Sequence, residues 1–139
     1  MIRQLLYAAL LLSLCVVIHA MGTVAMTRAS KAHAASANEV RLFWPLLGLV
    51  VGFVLVFFLQ SLEVLIWAGA YVALGAIGSL EEAIYFSIVS FATVGYGDVV
   101  LPQEWRILGA CEGAAGVLIF GWSVALLIVL IERTMKQLV

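Results

Sequence analysis

The stretch Ser79-Leu80-Glu81-Glu82-Ala83-Ile84-Tyr85-Phe86-Ser87-Ile88-Val89-Ser90-Phe91-Ala92-Thr93-Val94-Gly95-Tyr96-Gly97-Asp98 decides how the chain folds. Ser79, followed three residues later by Glu82, is a capping box that satisfies the opening N–H groups of a helix. Glu81 and Glu82 fall in its first turn, where the positive end of the peptide dipoles favours carboxylates. About twelve residues remain before the glycines, so the helix is about 18 Å long, too short for a hydrocarbon layer of about 30 Å. A segment that enters such a layer and cannot cross it must turn back. Lipid satisfies no free backbone group, so the non-helical run after the helix has to be buried in protein or line a watery path. The expected unit is a re-entrant loop.

The rest of the chain requires a membrane. Of 139 residues, 65% are hydrophobic and 11% charged, with a mean hydropathy of +1.20. Soluble domains average about 45–50% apolar and about 25% charged, which excludes a water-soluble fold. Seven scattered basic residues and a net charge of −1 exclude a nucleic-acid face. There is no Gly-rich phosphate loop, no metal-spaced histidine pair and no nucleophile triad, so no enzyme and no cofactor is expected. Cys15 and Cys111 sit in apolar surroundings and read as small packed hydrophobes.

Between Arg3 and Arg28 the chain carries no formal charge over a length that crosses the bilayer, giving a first span over 1–27. Its basic start and apolar run also fit a signal peptide, with Ala20 or Ala25 as small-residue cleavage positions. A polar stretch follows, read as a loop over 28–41. From Leu42 to Leu80 only Glu63 is charged, and as one helix this region would measure about 58 Å, too long for a straight span. Trp44 and Trp67, about 35 Å apart on a helix, offer interfacial limits, and Pro45 suits a first turn. Gly69, Gly75 and Gly78 then mark a short irregular linker. A last span runs from about Trp105 to Ile131.

Basic residues orient the spans. With the N-terminus outside, Arg28, Lys31, Arg41, Arg133 and Lys136 face the cytoplasm and only Arg3 and Arg106 face outward, which the positive-inside rule favours. Cleavage of the first segment would reverse the remaining spans against that rule, so the first helix is read as retained.

Thr93-Val94-Gly95-Tyr96-Gly97-Asp98, placed after a short capped helix and before a last span, resembles the selectivity filter of the potassium channel pore-domain family, closest to small bacterial channels of the KcsA type. The resemblance covers roughly 42–139 as outer helix, pore helix, filter and inner helix, and leaves the first helix outside it. It implies that the carbonyls of Thr93, Val94, Gly95 and Tyr96, with the Thr93 hydroxyl, bind K⁺, that Gly97 shapes the outer mouth, and that Asp98 braces the filter from behind. Rings of such carbonyls from four chains replace the ion's hydration shell. One departure concerns that brace: the family's pore-helix glutamate, four residues before the filter threonine, is Val89 here. Tyr85 matches an aromatic donor position and is the alternative partner for Asp98.

In the last span, Gly116 matches the family's hinge glycine, and Val117, Phe120, Val124 and Ile128 follow at spacings that line a cavity and lower gate. Gly109, Gly113, Gly116 and Gly121 also read as small residues that allow close helix packing, so for Gly116 both readings stand. Glu63 and Glu112 are intramembrane carboxyls; structural support is preferred over proton sensing for both, with Glu63 placed near the outer interface by its distance from Trp67. His19 is read as an interhelical hydrogen bonder, His33 as a solvated loop residue and Trp122 as packing.

The expectation is therefore an all-α membrane protein with three transmembrane helices plus a re-entrant pore helix and selectivity filter per chain. The pore forms as a homotetramer in the cell membrane, with the N-terminus outside and the C-terminus cytoplasmic. Its expected function is passive, selective K⁺ conduction; the alternative is a non-conducting or regulatory subunit that assembles with another channel. Expected partners are the lipid bilayer, K⁺ and copies of the same chain.

Overall fold

In a computed structural model, which describes residues 1–36 and 43–138, the chain forms four helices. They are α1 (Ile2–Ser36), α2 (Phe43–Ala73), α3 (Leu80–Phe91) and α4 (Arg106–Leu138). By length and composition α1, α2 and α4 are the three able to cross a membrane, and α3, at 12 residues, is not. α1 runs on to Ser36, into residues read as loop. The reason is local: Ala29, Ala32, Ala34 and Ala35 are strong helix formers, and no Gly or Pro interrupts them. The remaining residues of that loop, 37–41, and the His33 side chain lie outside the described residues.

α2 also exceeds its expected limit. Trp67 does not end the helix: it is 0% exposed, packed against Tyr71 at 6.4 Å between ring centroids, and the helix continues to Ala73. Burying an aromatic side chain of that size in a core outweighs its interfacial preference. Gly75, at φ +67°, then turns the chain out of the helix.

The packing sets the course of each helix. Gln4 of α1 meets the start of α4, and His19 meets Ser123 further along it. Met26 joins a cluster with Leu126 and Leu130, so α1 and α4 run parallel. α1 and α2 are antiparallel, since His19 meets Glu63 while the later Met26 clusters with the earlier Val56. The two chain ends thus lie at opposite ends of the bundle.

α1 is fastened to the other helices by polar groups. The Gln4 side-chain carbonyl accepts from the backbone N–H of Ile107 at 3.0 Å and Leu108 at 3.2 Å, capping α4 from another helix. Arg3 lies 4.6 Å over the Trp105 ring, a cation–π contact at the same end. In mid-helix, His19 Nδ1 bonds Glu63 Oε1 at 2.9 Å with both side chains 0% exposed. Its Nε2 lies 3.3 Å from Ser123 Oγ, which also accepts from Gln60 at 3.0 Å. Trp122 packs its ring edge-on to His19 at 5.3 Å. Glu63 is therefore buried between helices.

Candidate functional site

α3 begins as its cap dictates: the Ser79 side chain accepts from Glu82 N at 3.2 Å, with Glu81 and Glu82 in the first turn. At its other end the backbone leaves the helix without leaving its carbonyls idle. Thr93 N donates to Ser90 O at 2.9 Å, and Val94 N and Gly95 N both donate to Val89 O, at 2.9 and 3.2 Å. The N–H groups of Thr93, Val94 and Gly95 thus point back to α3. Among the described residues, none donates a backbone hydrogen bond to the carbonyls of Thr93, Val94, Gly95 or Tyr96.

This segment has an unusual backbone. Thr93 (φ +58°), Gly95 (φ +56°) and Gly97 (φ +79°) take positive φ, and the intervening Val94 and Tyr96 do not. Two of the three are glycines, for which the left-handed region carries no Cβ penalty. Thr93 is a β-branched residue held there against its preference, a strained position of the kind that concentrates at functional sites. Sequence reading did not find this strain, since nothing local signals a threonine at positive φ. The side chains of Val94 and Tyr96 are exposed, Tyr96 by 73%.

Behind the segment, Tyr85 Oη donates to Asp98 Oδ2 at 2.5 Å, and Asp98 Oδ1 accepts from Val99 N at 3.1 Å. The Tyr85 hydroxyl holds the Asp98 carboxyl below its usual range. The bonded form is the carboxylate, so the stabilisation is complete above the ordinary aspartate range and is lost as pH falls through the depressed value. Tyr85→Phe removes the donor, and acid disruption should then begin at higher pH than in wild type. Following ion flux through reconstituted protein at stepwise lower pH checks this; identical acid profiles would show that the bond does not steady the segment.

α4 packs against α3 through its glycines. A Cβ at Gly113 would lie 3.3 Å from the Ser90 carbonyl oxygen, and one at Gly116 would overlap the Phe91 carbonyl oxygen. Gly109 faces Phe86 and Leu101. Val117, Val124 and Ile128 lie on exposed parts of α4, at 50% exposure or more, whereas Phe120 is partly buried against Phe91, with ring centroids 5.6 Å apart.

A second group of side chains ties α3 to both long neighbours. Ser87 Oγ bonds the Val64 carbonyl of α2 at 2.9 Å and also bonds Glu112 Oε1 of α4. Tyr71 Oη donates to Glu112 Oε2 at 2.6 Å. Ser87 and Glu112 are 0% exposed, as is Tyr71. Sequence reading singled out Glu112 but not its partners, which stand 25 and 41 residues away in the chain. Cys15 and Cys111 are free thiols, the first buried and the second partly so, and the described residues hold no cluster of metal-binding side chains.

The arrangement is thus a short capped helix, steadied on two sides, that presents a run of unengaged carbonyls. Comparison with known proteins places that arrangement in a family. The family model described as ion channel matches residues 59–133, from within α2 through α3 and the strained segment into α4. No curated protein and no solved structure matches the chain. Because the match covers more than half of the sequence, and because three helices suit a membrane, the chain is a multi-pass membrane transport protein that belongs to the ion channel family.

Proposed function

We propose that the chain forms a K⁺-selective channel, with α3 as a re-entrant pore helix and Thr93 to Tyr96 as the ion-binding segment of a homotetrameric pore. The observation that carries this reading is the alternation of positive φ at Thr93, Gly95 and Gly97 with ordinary φ between them. Alternating backbone handedness turns successive peptide units the same way, so one kind of polar group faces one side. Here the amides of Thr93 to Gly95 are tied to α3, which leaves the carbonyls for a cation. Irregular backbone of this kind survives at membrane depth only against protein or water, and one chain leaves Val94 and Tyr96 open. Three further copies around a common axis cover them and close a carbonyl ring. Gly97 and Asp98 then form the outer mouth, and Val117, Phe120, Val124 and Ile128 line the inner cavity and gate, with Gly116 as a hinge.

The test is flux. Purified protein in liposomes should pass K⁺ and exclude Na⁺, and Gly95→Ala should lower K⁺ flux about tenfold or more. The cause is conformational: no atom lies within 4 Å of a Cβ at Gly95, but an L-residue at positive φ costs about 1–2 kcal/mol in each subunit. Equal K⁺ and Na⁺ flux would remove the selectivity claim. Unchanged flux in the variant would remove the ion-binding role of this segment, and absence of flux in wild type would favour a non-conducting subunit.

The orientation proposed, with the N-terminus outside, rests on the five-to-two count of basic residues. The parallel course of α1 and α4 adds that Arg3 shares an end of the bundle with Trp105 and Arg106. A tag placed before Arg3 should be reachable on intact spheroplasts, and a cysteine substituted at position 30 should be shielded from an impermeant thiol reagent. The opposite pattern reverses the topology.

A further inference from the structure

Glu112, Ser87 and Tyr71 form a buried oxygen chain whose hydrogens can be counted. Three contacts need one hydrogen each: Val64 O with Ser87 Oγ, Ser87 Oγ with Glu112 Oε1, and Glu112 Oε2 with Tyr71 Oη. Ser87 and Tyr71 supply one hydroxyl hydrogen apiece, and the Val64 carbonyl supplies none. With Glu112 ionised, either Ser87 and the Val64 carbonyl, or Ser87 and the carboxylate, face each other as two oxygens without a hydrogen. Among the described residues no cation stands within ion-pair distance of Glu112, and its side chain is 0% exposed. A buried carboxylate with no cation beside it is the costly form, whereas a carboxylic acid supplies the missing hydrogen.

We infer that Glu112 carries a proton and, donating it to Ser87 while accepting from Tyr71, is the residue that positions the pore helix for ion selection. The lever is short. Ser87 lies two residues before Val89, whose carbonyl holds the N–H groups of Val94 and Gly95. Glu112 therefore fixes α3 to α4 directly and to α2 through Tyr71, on the side of the helix away from the Tyr85–Asp98 bond. Val89 itself carries no carboxyl, so this brace comes from the inner helix rather than the pore helix. Among the described residues the titratable groups that act on Glu112 or its partners are Tyr71 on α2, Cys15 on α1 and Cys111 on α4; none is a cation that would stabilise the ionised form.

This inference rests on the proposed channel for its functional half and on hydrogen counting alone for its chemical half, so it is tested in two arms. In the first, infrared difference spectra of wild type against Glu112→Gln in detergent should contain the carbonyl stretch of a protonated carboxylic acid. A carboxylate band in its place overturns the inference, whether or not the protein conducts. In the second arm, Gln keeps one donor and one acceptor without a charge, and Ala keeps neither. Glu112→Gln should retain the K⁺ over Na⁺ flux ratio within about twofold, and Glu112→Ala should lower it about tenfold at equal tetramer content, since a buried Ser87 and Tyr71 lose their partner. If the Ala variant does not assemble, Ser87→Ala, which removes the donor site with little change of volume, should show the same loss of ratio. A Gln variant as unselective as Ala, or a Ser87→Ala variant as selective as wild type, overturns the positioning role. Wild type that passes no K⁺ would instead refute the channel reading.

Discussion

Gly116→Ala should lower K⁺ flux about tenfold or more and weaken the assembled form in mild detergent. The added Cβ meets backbone rather than a yielding side chain: it would overlap the Phe91 carbonyl oxygen and lie 2.9 Å from the carbonyl carbon and 3.2 Å from Cα. Phe91 is the last residue of α3, and Ser90 beside it accepts from Thr93 N. Relief of the clash therefore displaces the residues that carry the strained segment. Overpacking of this kind costs about 1–3 kcal/mol per site, and a symmetric assembly repeats it in every chain. Gly48→Ala is the matched control, since nothing lies within 4 Å of its Cβ and alanine is the better helix former. The same pair of variants separates the two roles read for Gly116. A hinge without close packing would leave assembly intact and alter only opening, whereas the contact predicts that assembly itself suffers. Wild-type flux and assembly in Gly116→Ala would show that α3 and α4 do not approach so closely.

What could be read in the sequence follows from how local each cause is. The start of α3 was legible because Ser79 and Glu82 form their cap within one turn, and its end because two glycines one residue apart, Gly95 and Gly97, signal irregular backbone shortly beyond it. The three long helices were legible because a hydrocarbon layer imposes a length and a polarity on any span. Trp67 misled because an aromatic residue has two stable homes, the interface and the core, and its sequence neighbours do not choose between them. The partners of buried polar groups were not legible at all. His19 and Glu63 are 44 residues apart, and Tyr71 and Glu112 are 41 apart. Such pairs depend on helix rotation and register, which hydropathy constrains weakly in a chain that is apolar on nearly every face. The intramembrane carboxyls were still found, because an ionisable group in an apolar run requires a partner even when the partner cannot be named.

Co-expression of wild type with Gly97→Asp should suppress conduction far below one half. The position demands glycine: Gly97 sits at φ +79°, where an aspartate is strained, and the new carboxylate would stand beside Asp98. In a fourfold ring those charges face one another around a narrow axis, so like-charge repulsion adds to the strain. Each chain supplies one carbonyl segment, and a ring that replaces the hydration shell of an ion needs all of its segments in register. If equal amounts of the two chains mix at random in a closed cyclic tetramer, only about one assembly in 16 is wholly wild type. Flux should therefore fall to about one sixteenth of that from wild type alone, after normalising to total protein in the membrane, and to about one third if one defective chain is tolerated. The measurement is K⁺ flux into liposomes that carry co-purified, differently tagged chains, with pull-down through one tag to verify mixing. Flux near one half, with mixing verified, would mean that each chain conducts on its own and that no shared ring exists. Flux near one half without mixing would mean that wild-type and variant chains do not associate with each other, and a monomeric mass of wild type in mild detergent would then refute the tetramer.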